Sequence, residues 1–465
     1  KTSNFYGQPK VHKSKIISKA IEQQKSEYIS ILEPNDLKVR PIVAGPCCPT
    51  RPLSNLVDIL LKPYLLHVQS YIKDNLDFLN KCSRSCEENT VLVTFDVVSL
   101  YTSIPHKYGL EAISYWIETY PLTLHNRFSK EFILEGIKII LENNNCTFND
   151  EFYHQISGTA MGTIFAPTYA SLTMGYFELK LYNICELKWG TNFSESLKEN
   201  WRRFLDDCEI NLDKTIVTPE VLLENLNSLN PAIQFTMEYS ENEVPFLDIL
   251  IKKQNTNIWM DLFHKSTDTR RCLPFASNHP AHCKRNITFS LARRICTIVE
   301  NHERKLIHLD ELRKNLAKYQ YPKTVIEFGI QKALSIPQNE LRKEKTKSSE
   351  NVISFISTHN PNNPNVMPLI KSSFFTLIAN KVKGFKPDIK LIHSKRQAPN
   401  LKKILTKAEF TNIRARVKQC GDPRCECCDV LLLSDRYTFK NTQKTFILKT
   451  EMSCDSANLV YVAIC

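Results

Sequence analysis

Between residues 5 and 253 short apolar runs alternate with longer amphipathic stretches, a pattern that predicts an α+β domain. Val91-Leu-Val-Thr-Phe95 is apolar, β-branched and bounded by polar residues, so it predicts a buried strand that delivers Asp96 to its C-terminal end. Phe204-Leu205 and Ile210 bracket the pair Asp206-Asp207, which predicts a hairpin over 201–212 with the acids at its turn. Pro167 opens a stretch through Lys180 carrying Ala170, Leu172, Met174, Phe177 and Leu179, as in a helix with proline in its first turn. Beyond Asp268 the pattern turns helical and basic, with helices expected over 286–301, 310–319 and 323–334 and a break at Pro322. Residues 337–368 are polar and then rich in Asn and Pro, which predicts a linker or loose joint. A small basic unit follows, with Lys395-Arg396 and Lys402-Lys403, and ends in Cys420, Cys425, Cys427 and Cys428.

Composition narrows the class. The chain has 465 residues and 42% of them are hydrophobic, enough for cores in about two to four domains. Lys and Arg outnumber Asp and Glu by 61 to 49, a formal charge of +12 that favours a polyanionic partner, nucleic acid first. No apolar run approaches the ~18 residues of a spanning helix, and no charged-then-apolar leader opens the chain, so a soluble protein without a membrane partner is expected. Sixteen cysteines are spread through a long chain, which argues for an intracellular protein with reduced thiols, some on metal, over a secreted disulfide scaffold. Lys1 and Cys465 resemble no natural terminus, and the chain is read as a fragment.

Nucleotidyl transfer needs two divalent ions bridged by carboxylates from separate elements, one ion activating the attacking hydroxyl and one neutralising the leaving pyrophosphate. Asp96 at a strand end, with Asp206 and Asp207 at a turn, supplies that set, and like charges in one turn make a bound cation the natural relief. Tyr101, five residues after Asp96, is placed to lie under the sugar of an incoming nucleotide and exclude a 2′-hydroxyl; packing in the core is its alternative. Gly158 and Gly162, in Ser157-Gly-Thr-Ala-Met-Gly162, suit close approach of backbone to a template–nucleotide pair, or an ordinary turn. Lys38 and Arg40, two apart, would share one strand face and grip a triphosphate, or simply meet solvent.

Together, Phe5-Tyr-Gly-Gln-Pro-Lys-Val-His-Lys13, Arg40-Pro-Ile-Val-Ala44, Thr94-Phe-Asp-Val-Val-Ser-Leu-Tyr-Thr-Ser-Ile-Pro105, Gly158-Thr-Ala-Met-Gly162 and Arg203-Phe-Leu-Asp-Asp207 resemble the reverse transcriptase of Penelope-like retroelements. That family is related to telomerase, and the resemblance implies an RNA-directed DNA polymerase with a right-hand fold. Residues 1–260 would form fingers and palm, 261–336 a helical thumb with a helix-turn-helix-like module, and 337–419 a basic linker region. Residues 420–465 would be a Cys-rich segment and the start of a truncated GIY-YIG nuclease, with Tyr461 in its first motif. Without the rest of that nuclease, DNA cleavage is not expected. The resemblance further implies Asp96, Asp206 and Asp207 as ligands of two Mg²⁺ ions, with Mn²⁺ as substitute. It implies an RNA template, a DNA primer or target, deoxynucleoside triphosphates, and nuclear action after cytoplasmic synthesis. Arg293 and Arg294, in the basic helices, are expected along the nucleic-acid backbone. Cys208-Glu209 stands where the family carries apolar residues, and the added carboxylate is expected to bear on the metal site. Cys420, Cys425 and Cys428 have zinc-like spacing, with the fourth ligand open between Cys454, Cys465 and His393 and loose thiols as the alternative. Two other functions stand beside the polymerase reading: a nucleic-acid-binding remnant that no longer catalyses, and a viral RNA-dependent RNA polymerase.

Overall fold

The computed structural model describes residues 3–24, 29, 31, 34–45, 48–149, 151–265, 268–344, 351–398, 416–420, 422, 425–439, 442–448, 451–454 and 456. Lys402-Lys403, Tyr461 and Cys465 lie outside the described residues. The chain divides into two compact units, Lys1–Arg396 and Gln397–Cys465.

At the centre of the first unit is an antiparallel sheet of four strands in the order Arg202–Phe204, Asp207–Asp213, Thr90–Val97 and Phe235–Ser240. Thr90–Val97 is covered on both faces, which is why its run is nearly all apolar. Strand alternation sends Val91, Val93, Phe95 and Val97 into one core and Leu92 into another. The first core packs against the helices His106–Thr119 and Ala166–Trp189. Pro167 stands in the first turn of the longer helix, and Gly190, at φ +87°, ends it. Almost every side chain from Thr168 to Phe177 is buried, so this helix lies inside the domain rather than on its surface.

Leu92 joins the second core, built from the three-stranded sheet Glu243–Phe246, Ile249–Gln254 and Asn257–Leu262 and from the helices Ala281–Ile298, His302–Lys318 and Lys323–Leu334. The third helix matches its expected bounds, while the first two start earlier than the periodicity suggested. Asn301, counted into the first of them, instead caps the second, its side-chain oxygen accepting from the Arg304 amide at 3.0 Å.

A separate sheet has the order Val39–Ala44, Ser3–Pro9, Asn145–Phe148 and Glu151–His154. The stretch 337–368 is corrected: it is not simply a joint. Val352–Thr358 is a strand that pairs in parallel with Lys390–Arg396 across the helix Met367–Ala379, a β-α-β unit. The Asn- and Pro-rich residues are the loop between its first strand and its helix. Among the described residues no helix is long and apolar enough to cross a membrane.

One buried ion pair ties the central sheet to the long helix. Arg203 is 0% exposed and Glu178 is 2% exposed, with Arg203 Nε donating to Glu178 Oε1 at 2.5 Å. Trp201 Nε1 donates to the same oxygen at 3.0 Å, Ser70 Oγ to Oε2 at 2.5 Å, and Arg203 Nη2 to the Ser171 carbonyl at 2.9 Å. Arg203→Met strands the Glu178 charge in the core and should cost about 3–5 kcal/mol in urea unfolding. Glu178→Leu in the same chain should recover most of that loss. A single variant within about 1 kcal/mol of wild type would show the pair to be incidental.

Candidate active site

Phe204 pairs with Asp207, so Leu205-Asp206 is a two-residue hairpin turn. Leu205 takes φ +55°, an uncommon conformation for a bulky side chain that costs on the order of 1–3 kcal/mol and survives where its surroundings fix it. They do: the Asp206 carbonyl accepts from the Val97 amide at 3.0 Å, locking the turn to the neighbouring strand. On that strand Asp96 stands opposite Asp207 in register. The three predicted acids therefore meet at one end of the central sheet.

Their charges interact. Burial, then Asp206, then Asp96, push the Asp207 carboxyl up to about 6. Burial raises Asp206 too, and Asp96 adds to the effect. Clustered, half-desolvated carboxylates of this kind suit divalent cations, whose charge relieves both effects. Basic groups reach them from the separate sheet. Lys13 Nζ lies 3.4 Å from Asp96 Oδ2, and Arg40 and Lys10 favour ionised Asp206. Lys265 and Lys13 act likewise on Asp207. Burial, then Lys13 and Arg40, lower the Lys10 ammonium. Of the two residues expected to hold a triphosphate, Arg40 is thus brought to the acids. Lys38 is exposed just before the strand, its carbonyl accepting from the Lys10 amide at 2.7 Å. Lys10 and Lys13 were not singled out by the sequence, although both belong to the Phe5–Lys13 run.

Tyr101 sits in a short helix, Leu100–Ser103, half-buried against the first core. Burial, then the Asp206 charge, push its phenol up to about 12, so the ring is beside the acids as well as against the core. Gly158 and Gly162 serve a closer purpose than the one expected. A Cβ on Gly158, at φ +69°, would stand 2.5 Å from the Thr102 Cα, and one on Gly162, at φ +129°, would stand 2.1 Å from the Val43 carbonyl oxygen. The chain's own backbone requires both glycines, and the loop between them joins the Tyr101 segment to the Arg40 strand. The Val43 amide completes the junction by donating to the Met161 carbonyl at 3.0 Å.

Glu209, two residues beyond Asp207, is fully buried, and burial pushes its carboxyl up to about 8 against the pull of Arg202. The residue is therefore largely protonated at neutral pH and adds no full charge to the acidic site. Arg294 Nη2 is 2.9 Å from Asp248 Oδ2, which ties its helix to the small sheet. Arg293 is half-buried on the same helix.

In the second unit Cys420, Cys425, Cys428 and Cys454 place their sulfurs within 4.8 Å of one another. Cys420 and Cys428 are 3.5 Å apart, and Cys454 is 3.4 Å from both Cys425 and Cys428. A tetrahedral zinc site with ~2.3 Å bonds has sulfur–sulfur edges of about 3.8 Å, which four such thiols meet with little movement. Cys454 therefore completes the set. Cys427 is exposed and outside it, and His393 lies in the first unit, bonded to Ser357 Oγ at 2.7 Å.

The family described as the animal helix-turn-helix domain matches residues 271–331, which take in most of the three helices of the second core. No curated protein matches the chain. Its fold is similar to that of an apo telomerase from Candida tropicalis truncated from its C-terminal domain, at 13% identity and TM-score 0.35, covering 53% of this chain and 60% of that one. A telomerase from Candida albicans with a fragment of telomeric RNA is similar at 10% identity and TM-score 0.43, covering 66% and 60%. The RNA-dependent RNA polymerase of a human picobirnavirus is similar at 13% identity and TM-score 0.40, covering 68% and 60%. The chain spans about 60% of the length of the first two.

The state of Glu209 has a measurable sign. Its folded value of about 8 exceeds the ordinary 4.5, so the folded protein holds a proton there that the unfolded chain releases, and stability falls as pH rises between those values. Glu209→Gln should match wild type near pH 4.5 and melt at least about 3 °C higher at pH 8.5. Identical melting temperatures at both pH values would place an ionised carboxylate at this position.

Proposed function

We propose that the chain is the polymerase core of a Penelope-like retroelement reverse transcriptase, extending a primer 3′-hydroxyl with deoxynucleotides on an RNA template in the nucleus. The observation that carries it is the meeting of Asp96, Asp206 and Asp207 at one sheet end beneath Lys10, Lys13 and Arg40. In this reading residues 1–260 are fingers and palm and 261–336 are thumb and helix-turn-helix. Two Mg²⁺ ions held by the three acids would activate the primer hydroxyl and neutralise the departing pyrophosphate. Arg40, Lys10 and Lys13 receive the triphosphate, whose negative charge replaces the carboxylates as their partner. Tyr101 bounds the sugar from below and leaves no room for a 2′-hydroxyl. Arg293, on the thumb, follows the backbone of the duplex.

Asp96→Asn or Asp206→Asn should abolish extension of a primer on an RNA template, with template affinity and melting temperature close to wild type. Extension near the wild-type rate in either variant sinks the assignment. The hold of Lys13 on Asp96 favours a second reading, a nucleic-acid-binding protein without catalysis. That reading predicts template binding and no extension by the unaltered chain with either Mg²⁺ or Mn²⁺.

The four clustered thiols are assigned to one structural zinc ion. Metal analysis should find about one zinc per chain, lost in Cys454→Ser and Cys425→Ser and retained in Cys427→Ser. Protein prepared without chelators that carries no zinc would end this assignment.

A further inference from the structure

An apolar cavity of about 480 Å³ lies beside the candidate active site and is not used by it. Phe5, Phe148 and Tyr153 supply aromatic walls, and Val43, Met161 and Thr159 close it from the glycine loop and its strand. Two features set it apart from an ordinary packing defect. The Thr159 side chain lines it on a residue 2% exposed, and the hydroxyl has no hydrogen-bond partner among the described residues. Buried hydroxyls are nearly always partnered, so this one is suited to a ligand. The rim carries exposed apolar side chains, Phe152 and Ile156, which continue the aromatic surface into solvent.

Its position follows from alternation. On the Val39–Ala44 strand, Pro41 and Val43 line the cavity while Arg40 is felt at Asp206. Likewise Thr102 lines it while the neighbouring Tyr101 is felt at Asp206. Only the strand and the glycine loop separate the cavity from the carboxylates. Lys38 and Arg40 are exposed on that same strand and its approach, so a polyanionic chain has basic groups to follow past the opening.

We infer that this cavity holds the unpaired template nucleotide next in line to be copied, its base stacked on Tyr153 and Phe148 and hydrogen-bonded to the Thr159 hydroxyl. Unpaired RNA bases are recognised in this way, splayed onto aromatic side chains with a polar group at the base edge. The inference rests on the polymerase reading for the direction of the template, and on the cavity alone for the capture of a base.

The test is made without chemistry, on the full chain with a DNA primer annealed to an RNA template and no nucleotides. With 2-aminopurine as the first unpaired template nucleotide, binding should quench its fluorescence. An abasic residue there should weaken binding about tenfold, the contribution of one base–aromatic stack, and one placed three nucleotides further on should have no effect. Tyr153→Ala, on an exposed hairpin that the fold does not depend on, should abolish both the quench and the abasic penalty, and Thr159→Val should reduce them. Equal affinity of wild type for intact and abasic templates, unchanged fluorescence on binding, or no binding would overturn the proposal. Extension assayed on the same protein separates the two readings. Base capture without extension leaves the cavity assignment standing and removes the polymerase; extension without base capture removes the cavity assignment alone.

Discussion

Arg203 and Glu178 occupy the core only because each neutralises the other. A lone charge at either position would be desolvated without compensation, and the pair is made tolerable by the further donors from Trp201 and Ser70 and the acceptor at Ser171. Such a pair adds little over apolar residues of the same volume, yet is costly to break. Its geometry is what matters here. Arg203 also bonds through its backbone to Ser70 and Ile72, at 2.8 and 2.9 Å, so one residue joins the acidic hairpin, the long helix and the segment before the central strand. The hairpin cannot shift along the sheet without exposing one of these groups unpaired.

From that anchor follows the placement of the acids, and with it an opposing cost. Gathering Asp96, Asp206 and Asp207 at one sheet end raises the energy of their ionised forms, as the value of about 6 for Asp207 records. The second sheet answers with Lys10, Lys13 and Arg40, held at the right distance by the glycine loop. Electrostatics and backbone packing thus bind two sheets that share no hydrogen-bonded strand pair.

The central strand and the long helix were legible because their residues obey one local rule each, a β-branched apolar run and a proline-led apolar repeat. The acidic hairpin was legible through its turn. Lys10 and Lys13 were not, since their relevance depends on a strand pairing that sets Gln8 opposite Arg40. Glu178 reads along the chain as a helix residue facing water, and only the burial of the whole helix makes it a partner for Arg203. Cys454 follows Cys428 at a distance that no spacing rule covers. The Val352–Thr358 strand was hidden because its side chains are largely exposed, so its apolar content does not mark a core.

The turn at Leu205-Asp206 bears on how this chain tolerates change. Substitutions around it alter single contacts, and the anchored sheet can absorb them. A single inserted or deleted residue is different in kind, because every side chain beyond it on Asp207–Asp213 would change faces, sending Glu209 toward the helices and Cys208 to the opposite side. This hairpin is therefore a place where lineages of the protein can vary in letters but not in length, while the loop between Val352–Thr358 and Met367–Ala379 is free to vary in both.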